Sequence, residues 1–344
     1  MVLMFWRLIS QAFGVALAMV VAAPAWAHVA YVLEPAVAAA GHAPWALDFF
    51  LTPFTRPLDI LYLVLVPVAG VLVYLIFRRS DFLQKQLRRW REHLDSYHDL
   101  IPWMLRLSVG IALIGYGTSG HLLTPTISNA DWATFQVALG FLLLMGLLTR
   151  LAALGVISLY LLILSQAASL LGGLEILGAA VVLFITGAGR PSLDDILGLT
   201  MTKYVRRLSR ALHQSRHLIP FLLRLTLGAT FVWLGLTEKF LNSWWSAAVV
   251  EKFNLTQALP VSVNLWVLGA GGIEIILGLL LILGLWVRPV GVVAFAVLIL
   301  TFFFFGESVV PHVTLFGVLS VLIVSGGSSW SVDQIRIKTV RHKT

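Results

Sequence analysis

Five ionisable side chains, Glu238, Lys239, Glu274, Glu307 and His312, fall in the last third of a chain that is otherwise mostly apolar. Carboxyl, amine and imidazole groups held together inside a membrane can relay protons. A lysine and a histidine can also hold an anion or the head group of a quinone. Glu274, Lys239 and His312 are therefore the candidate catalytic set, with Glu238 and Glu307 as further lining of the same pocket. A different chemistry is offered near the amino end, where His28, and more weakly His42, could ligate copper, since nitrogen donors suit Cu(II).

The elements that must position these groups follow from composition. Hydrophobic residues make up 59% of the 344 residues and charged residues 12%, about half the charged share of a soluble domain. Apolar runs near the ~20 residues needed to cross a bilayer recur along the chain, helix-length rather than alternating. The expected fold is an all-α integral membrane protein. The net charge of +8 sits in short linkers between apolar runs, which marks topology rather than a nucleic-acid partner. With no cysteine in the chain, disulfides, CxxC relays and Cys-ligated clusters are excluded. Redox chemistry would have to use an outside carrier.

Arg7, an apolar stretch and Ala-Pro-Ala-Trp-Ala before His28 read as a signal peptide, residues 1–27, cut after Ala27. The mature amino group and the His28 imidazole would then form the copper chelate. Residues 28–56 lie outside and a transmembrane helix covers 57–79, delivering Arg78, Arg79, Lys85, Arg88, Arg89 and Arg91 to the cytoplasm. Eight more spans follow, at 100–118, 134–149, 151–170, 173–189, 218–236, 264–285, 289–306 and 311–326. This topology puts the second basic linker, Arg288 and the tail 336–344 on the same side. The expected location is the cytoplasmic (inner) membrane, amino end out and carboxyl end in. Both linkers are amphipathic and suit helices lying among anionic head groups.

The chain repeats itself. LIPWMLRLSVGIALIGYGTSGHL at 100–122 matches LIPFLLRLTLGATFVWLGLTEKF at 218–240, an offset of 118 that pairs Arg106 with Arg224. An offset of 138 pairs Gln136 with Glu274 and Gly140 with Gly278; 139 pairs Gly178 with Gly317 and Asp194 with Asp333. The predicted units are a first four-helix repeat over 80–197 and a second over 198–335, the latter with an added external loop, Ser243 to Ser262. Arg224, Gly228, Gly235 and Lys239 fall within about 60° on a helix, as do Arg106, Gly110, Gly117 and His121. Small residues let membrane helices approach closely, so these stripes should face inward. Arg106, Asp194, Arg224 and Asp333 occur in both copies near the basic side and read as structural pairs or head-group anchors. Glu274 has neutral Gln136 as its counterpart and reads as functional or partnered.

The second copy resembles the DoxX family of four-helix membrane proteins. The likeness rests on LRLTLGATFVWLGLTEKF, GLLLILGLWVRPVG with its Arg288, and the closing SVD at Ser331 to Asp333. The first copy keeps Arg106, Arg150, Ser192 and Asp194 and lacks the lysine and glutamate. The resemblance implies a quinone-linked or redox-complex membrane subunit, in some members concerned with sulfur compounds such as thiosulfate. A non-enzymatic scaffold or assembly factor for a periplasmic or membrane redox partner is the alternative, docking at Trp244, Trp245 and Trp266. Copper handling through His28 is the third.

Overall fold

The computed structural model describes residues 47–125, 127–199, 203–305, 309–327 and 330–334. The expected signal segment, His28, His42, Glu307 and the tail 336–344 lie outside the described residues.

Among the described residues the chain is helical, with one isolated bridge between His121 and Ser128. A short helix α1 (Leu47–Leu51) leads into α2 (Pro57–Arg79) and the amphipathic α3 (Asp81–Asp95). A first set of four helices follows: α4 (Ile101–Thr118), α5 (Ala130–Met145), α6 (Thr149–Leu164) and α7 (Leu174–Thr186). Short α8 (Leu193–Ile196) and amphipathic α9 (Lys203–His213) connect to the second set. That set begins with α10 (Ile219–Leu234) and a π-helical extension, Gly235–Leu241. The supposed external loop is itself helical, α11 (Ser243–Lys252) and α12 (Leu255–Ala258). The set closes with α13 (Val263–Leu283), α14 (Val287–Phe305) and, after a 3-10 turn Val310–His312, α15 (Val313–Ser325). Among the described residues six helical stretches are long and apolar enough to cross a membrane, and 130–145, 149–164 and 310–325 are shorter apolar helices. The chain is a multi-pass α-helical membrane protein.

The local signals are ordinary ones used twice. Pro102 and Pro220 open α4 and α10, where a missing N–H costs nothing. Gly146 and Gly284 close α5 and α13 with φ of 65° and 69°, a left-handed conformation that favours glycine.

α2 stands apart, with no part of its most apolar window buried. A helix apolar on all sides needs only lipid around it. It is tethered at its start, where Asp59 accepts the Ser262 amide at 3.0 Å and Asn264 donates to the Phe49 carbonyl at 2.8 Å.

The other eight helices share one core, which runs without a break from Leu105, Val156 and Leu183 of the first set to Leu227, Leu281 and Leu319 of the second. Within each set the first two helices meet backbone to backbone: a Cβ on Gly110 would lie 2.9 Å from the Gly140 carbonyl, and one on Gly228 2.6 Å from the Gly278 carbonyl. Between sets the pairing is crossed. α7 packs on α10, and α15 packs on α4. Gly178 takes the Thr226 side chain, and Gly317 takes Ser108 in the same way. The linkers cross too: Asp95 at the end of α3 pairs with Arg288 of the second set, and Arg150 of the first set donates to Ser209 of α9 at 2.9 Å.

The two Arg–Asp combinations serve backbone groups at helix ends. Arg106 is buried and spends its guanidinium on four carbonyls, those of Leu143, Ala188, Pro191 and Leu144, at 3.0, 2.6, 2.9 and 3.2 Å. Asp194 accepts the Leu148 and Thr149 amides at 2.7 and 3.1 Å. In the second set Arg224 is fully buried and donates to the Trp330 carbonyl at 3.2 Å, while Asp333 accepts the Trp286 amide at 2.8 Å. Each side chain satisfies helix-end backbone groups that would otherwise be stranded in low dielectric.

Candidate functional site

The charged group forms where α10 underwinds. Beyond Leu234 the helix passes into a π-helical turn, a rare geometry found often at functional sites. The turn brings two consecutive residues, Glu238 and Lys239, toward α13. There Gly271 leaves room: a Cβ on it would meet Lys239 Cβ at 2.7 Å. Lys239 Nζ lies 3.0 Å from Glu238 Oε2 and 3.1 Å from Glu274 Oε1. The Glu238 side chain is fully buried, Lys239 is 14% exposed and Glu274 28%.

Depth sharpens the significance. From Val263 at the start of α13, Glu274 stands about 16 Å along the helix. Two carboxylates on one amine leave the group one negative charge in excess, which is costly there unless a proton neutralises it. Glu274 Oε2 is buried with no hydrogen-bond partner among the described residues. The same neutralisation makes Lys239 a poor holder of a further anion, because its charge is already matched twice.

The added helices close over this group. Ser246 of α11 donates to the Glu238 carbonyl at 3.0 Å, and Asn242 to the Thr237 carbonyl at 2.7 Å. From the other side, Phe50 of α1 stacks on Phe240, with ring centres 5.3 Å apart and 8° between planes. Trp245 is buried against Trp244, and Trp266 donates its indole N–H to the Leu259 carbonyl at 3.3 Å, so these residues build the cap more than they display a docking face.

His312 is not among the ion pairs of this group. It is buried on the turn before α15, its ring edge-on to Phe302 at 5.2 Å, and that turn packs against α4 of the first set. The positions matching Lys239 and Glu274 are occupied by His121, which pairs with Ser128 Oγ at 3.0 Å, and by the fully buried Gln136. Gln136 accepts the Leu123 amide at 2.8 Å and donates to the Leu113 and His121 carbonyls at 2.9 and 3.2 Å. A cavity of about 320 Å³ lies at this end of the first set, beside Asn129, Trp132, Leu159 and Gln166. No group of three or more metal-ligating side chains occurs among the described residues.

Sequence reasoning placed Glu274 and Lys239 together from helical phase. Glu238 was read as further lining of the same pocket, and the structure sets it beside Lys239; the π turn that carries both was not foreseen. Nor does a single sequence signal the Phe50 stack.

A DoxX family model matches residues 219–307. The match runs from the first turn of α10 through α14 and includes Glu238, Lys239 and Glu274, so DoxX membership is supported for the part of the chain that carries the charged group. α15, His312 and the whole first set lie outside the DoxX match. No curated protein and no solved structure matches the chain.

Proposed function

We propose that this DoxX-like membrane protein is a quinone-linked or redox-complex subunit, and that Glu238, Lys239 and Glu274 are its proton-exchanging centre. The observation that carries the reading is the imbalance of two carboxyls on one lysine deep in the membrane, with one carboxyl oxygen left unpartnered. Reducing a quinone consumes two electrons and two protons, so a quinone-linked subunit needs a group that gains and loses protons within the bilayer. Positive-inside orientation places this centre toward the outer side, the basic linkers facing the cytoplasm. In this reading Glu274 delivers the proton, Glu238 fixes Lys239, and Lys239 holds the carboxyls together while offering a third N–H to a carbonyl oxygen.

A second reading, a non-enzymatic scaffold for a redox partner, draws on the same ion pairs, because a lysine shared by two carboxylates also locks α10 to α13. Quinone reduction by purified protein, with thiosulfate or sulfite as electron donor, separates the two when measured beside the melting temperature of the same preparation. Glu274→Gln keeps the Glu238–Lys239 pair and should melt close to wild type. Loss of turnover by about 10²-fold or more in that variant is expected of a proton-transferring group. A Glu274→Gln protein with full activity ends the proton-transfer reading, and inability of the wild type to reduce quinone with bound quinone absent favours the scaffold.

A further inference from the structure

Glu175 belongs neither to the charged group nor to the Arg–Asp contacts at the helix ends. It lies in the first turn of α7, at the end remote from the basic linkers, and only 4% of it is exposed. None of the ion pairs among the described residues includes it. Across the seam between the helix sets, Thr230 Oγ1 of α10 stands 2.9 Å from Glu175 Oε2 and 3.1 Å from the Thr226 carbonyl oxygen.

A hydroxyl has one hydrogen to give and can accept two. The Thr226 carbonyl can only accept, so the 3.1 Å contact uses the Thr230 hydrogen. The 2.9 Å contact then needs a hydrogen from Glu175. The neutral acid completes a chain, Glu175 O–H to Thr230 O–H to the Thr226 carbonyl; an ionised carboxylate forces the threonine to abandon one of its acceptors.

The surroundings agree. Tyr160 of α6 is the nearest ionisable neighbour on that side, and its hydroxyl is committed to the Leu170 carbonyl at 2.7 Å. α15 has no ionisable side chain, and the cations on the elements around α7, namely Arg106, Arg150, Arg224, Lys203, Arg206, Arg207, Arg210 and Arg216 with His213 and His217, belong to the basic end. The opposing influence is the start of α7, whose amides favour a carboxylate. Desolvation of an unpaired buried ion costs several kcal/mol and outweighs it.

We infer that Glu175, Thr230 and the Thr226 carbonyl form a proton-holding site in the seam between the two helix sets, with Glu175 a neutral carboxylic acid at rest. The inference does not rest on the role proposed for Glu274. The equivalent place in the other seam, offset by 139, is occupied by Thr314 opposite Ala112, so the site exists once.

Infrared spectroscopy of the purified full chain in H₂O and D₂O tests it, with all spectra recorded in a Glu274→Gln background so that the other centre contributes no acid band. The expected result is a protonated-carboxyl C=O band at neutral pH that is lost in Glu175→Gln and moves to higher frequency in Thr230→Val, where one hydrogen bond disappears. Glu175→Gln should melt like its parent at neutral pH, and should lose less thermal stability than the parent as the buffer is made alkaline, because only the carboxyl can ionise in the seam. An unchanged acid band in folded Glu175→Gln, or no acid band in the parent, overturns the proposal in favour of a carboxylate held by the helix start. Should Glu175→Gln fail to fold, the Thr230→Val spectrum decides, an unshifted band again overturning it.

Discussion

The two four-helix sets use one frame for opposite purposes at the end remote from the basic linkers. In the first, Gln136 sits fully buried with its amide spent on Leu123, Leu113 and His121 backbone groups, closing the turn after α4. In the second, Glu274 shares Lys239 with Glu238 and keeps an unpartnered oxygen, while α11 and α12 supply the closure that Gln136 supplies in the first. A neutral side chain with every bond made is a fastening. A charged one with a bond unmade, sheltered by added helices, is a group held ready. The comparison teaches that the closure made by Gln136 in the first set is made by α11 in the second, and that Glu274 takes no part in it.

The largest expected effect comes from removing the cation. Lys239→Met removes the cation that Glu238 and Glu274 share and should cost about 3–5 kcal/mol, read as a large drop in melting temperature or failure to accumulate. His121→Met, its counterpart, should change little, since His121 is partly exposed and bonded only to Ser128. Equal melting of the two variants would show that the second set does not depend on its charges.

Next in size is the exchange of the matched pair. Gln136→Glu removes the two N–H donors that serve the Leu113 and His121 carbonyls and should destabilise by about 1–3 kcal/mol. Glu274→Gln should fall below that, because Lys239 retains Glu238. If Glu274→Gln proves the more damaging to stability, the contrast between fastening and reactive group is reversed.

The smallest difference is expected where the sets agree. Gly110→Ala and Gly228→Ala each push a methyl into a facing carbonyl, and overpacking of this kind costs about 1–3 kcal/mol. Similar losses in the two, measured by thermal melting, confirm a common frame; a loss confined to one shows that the frame is shared only in outline.

Much of that frame was legible because it is periodic. Span positions follow from apolar length, and the inward stripes follow from glycines at helical spacing, which the Gly110–Gly140 and Gly228–Gly278 contacts bear out. The crossed pairing was not legible, since Gly178 and Gly317 say that something packs closely there and not which helix it is. Arg106 and Asp194 were legible as structural residues, but their partners were not, because helix ends in a membrane compete for both and the sequence does not say which carbonyls and amides they meet. At the candidate site Glu274 and Lys239 were readable from phase and depth. Glu238 was grouped with them as pocket lining, but the π turn that carries it leaves no mark in the residue types.

The crossed seams carry one further consequence. The surface with which α4 receives α15 and the surface with which α10 receives α7 are built from matching residues, Ser108 against Gly317 and Thr226 against Gly178. A single four-helix unit bearing both surfaces would be self-complementary and could close the same seam with a second copy of itself, as an isologous dimer does. Any change in such a dimer is made twice, so a charge placed at one end appears at both. Joining the two units in one polypeptide removes that constraint, and asymmetry becomes possible: a carboxyl in one seam and a threonine in the other, an amide at one end and an ion pair at its twin.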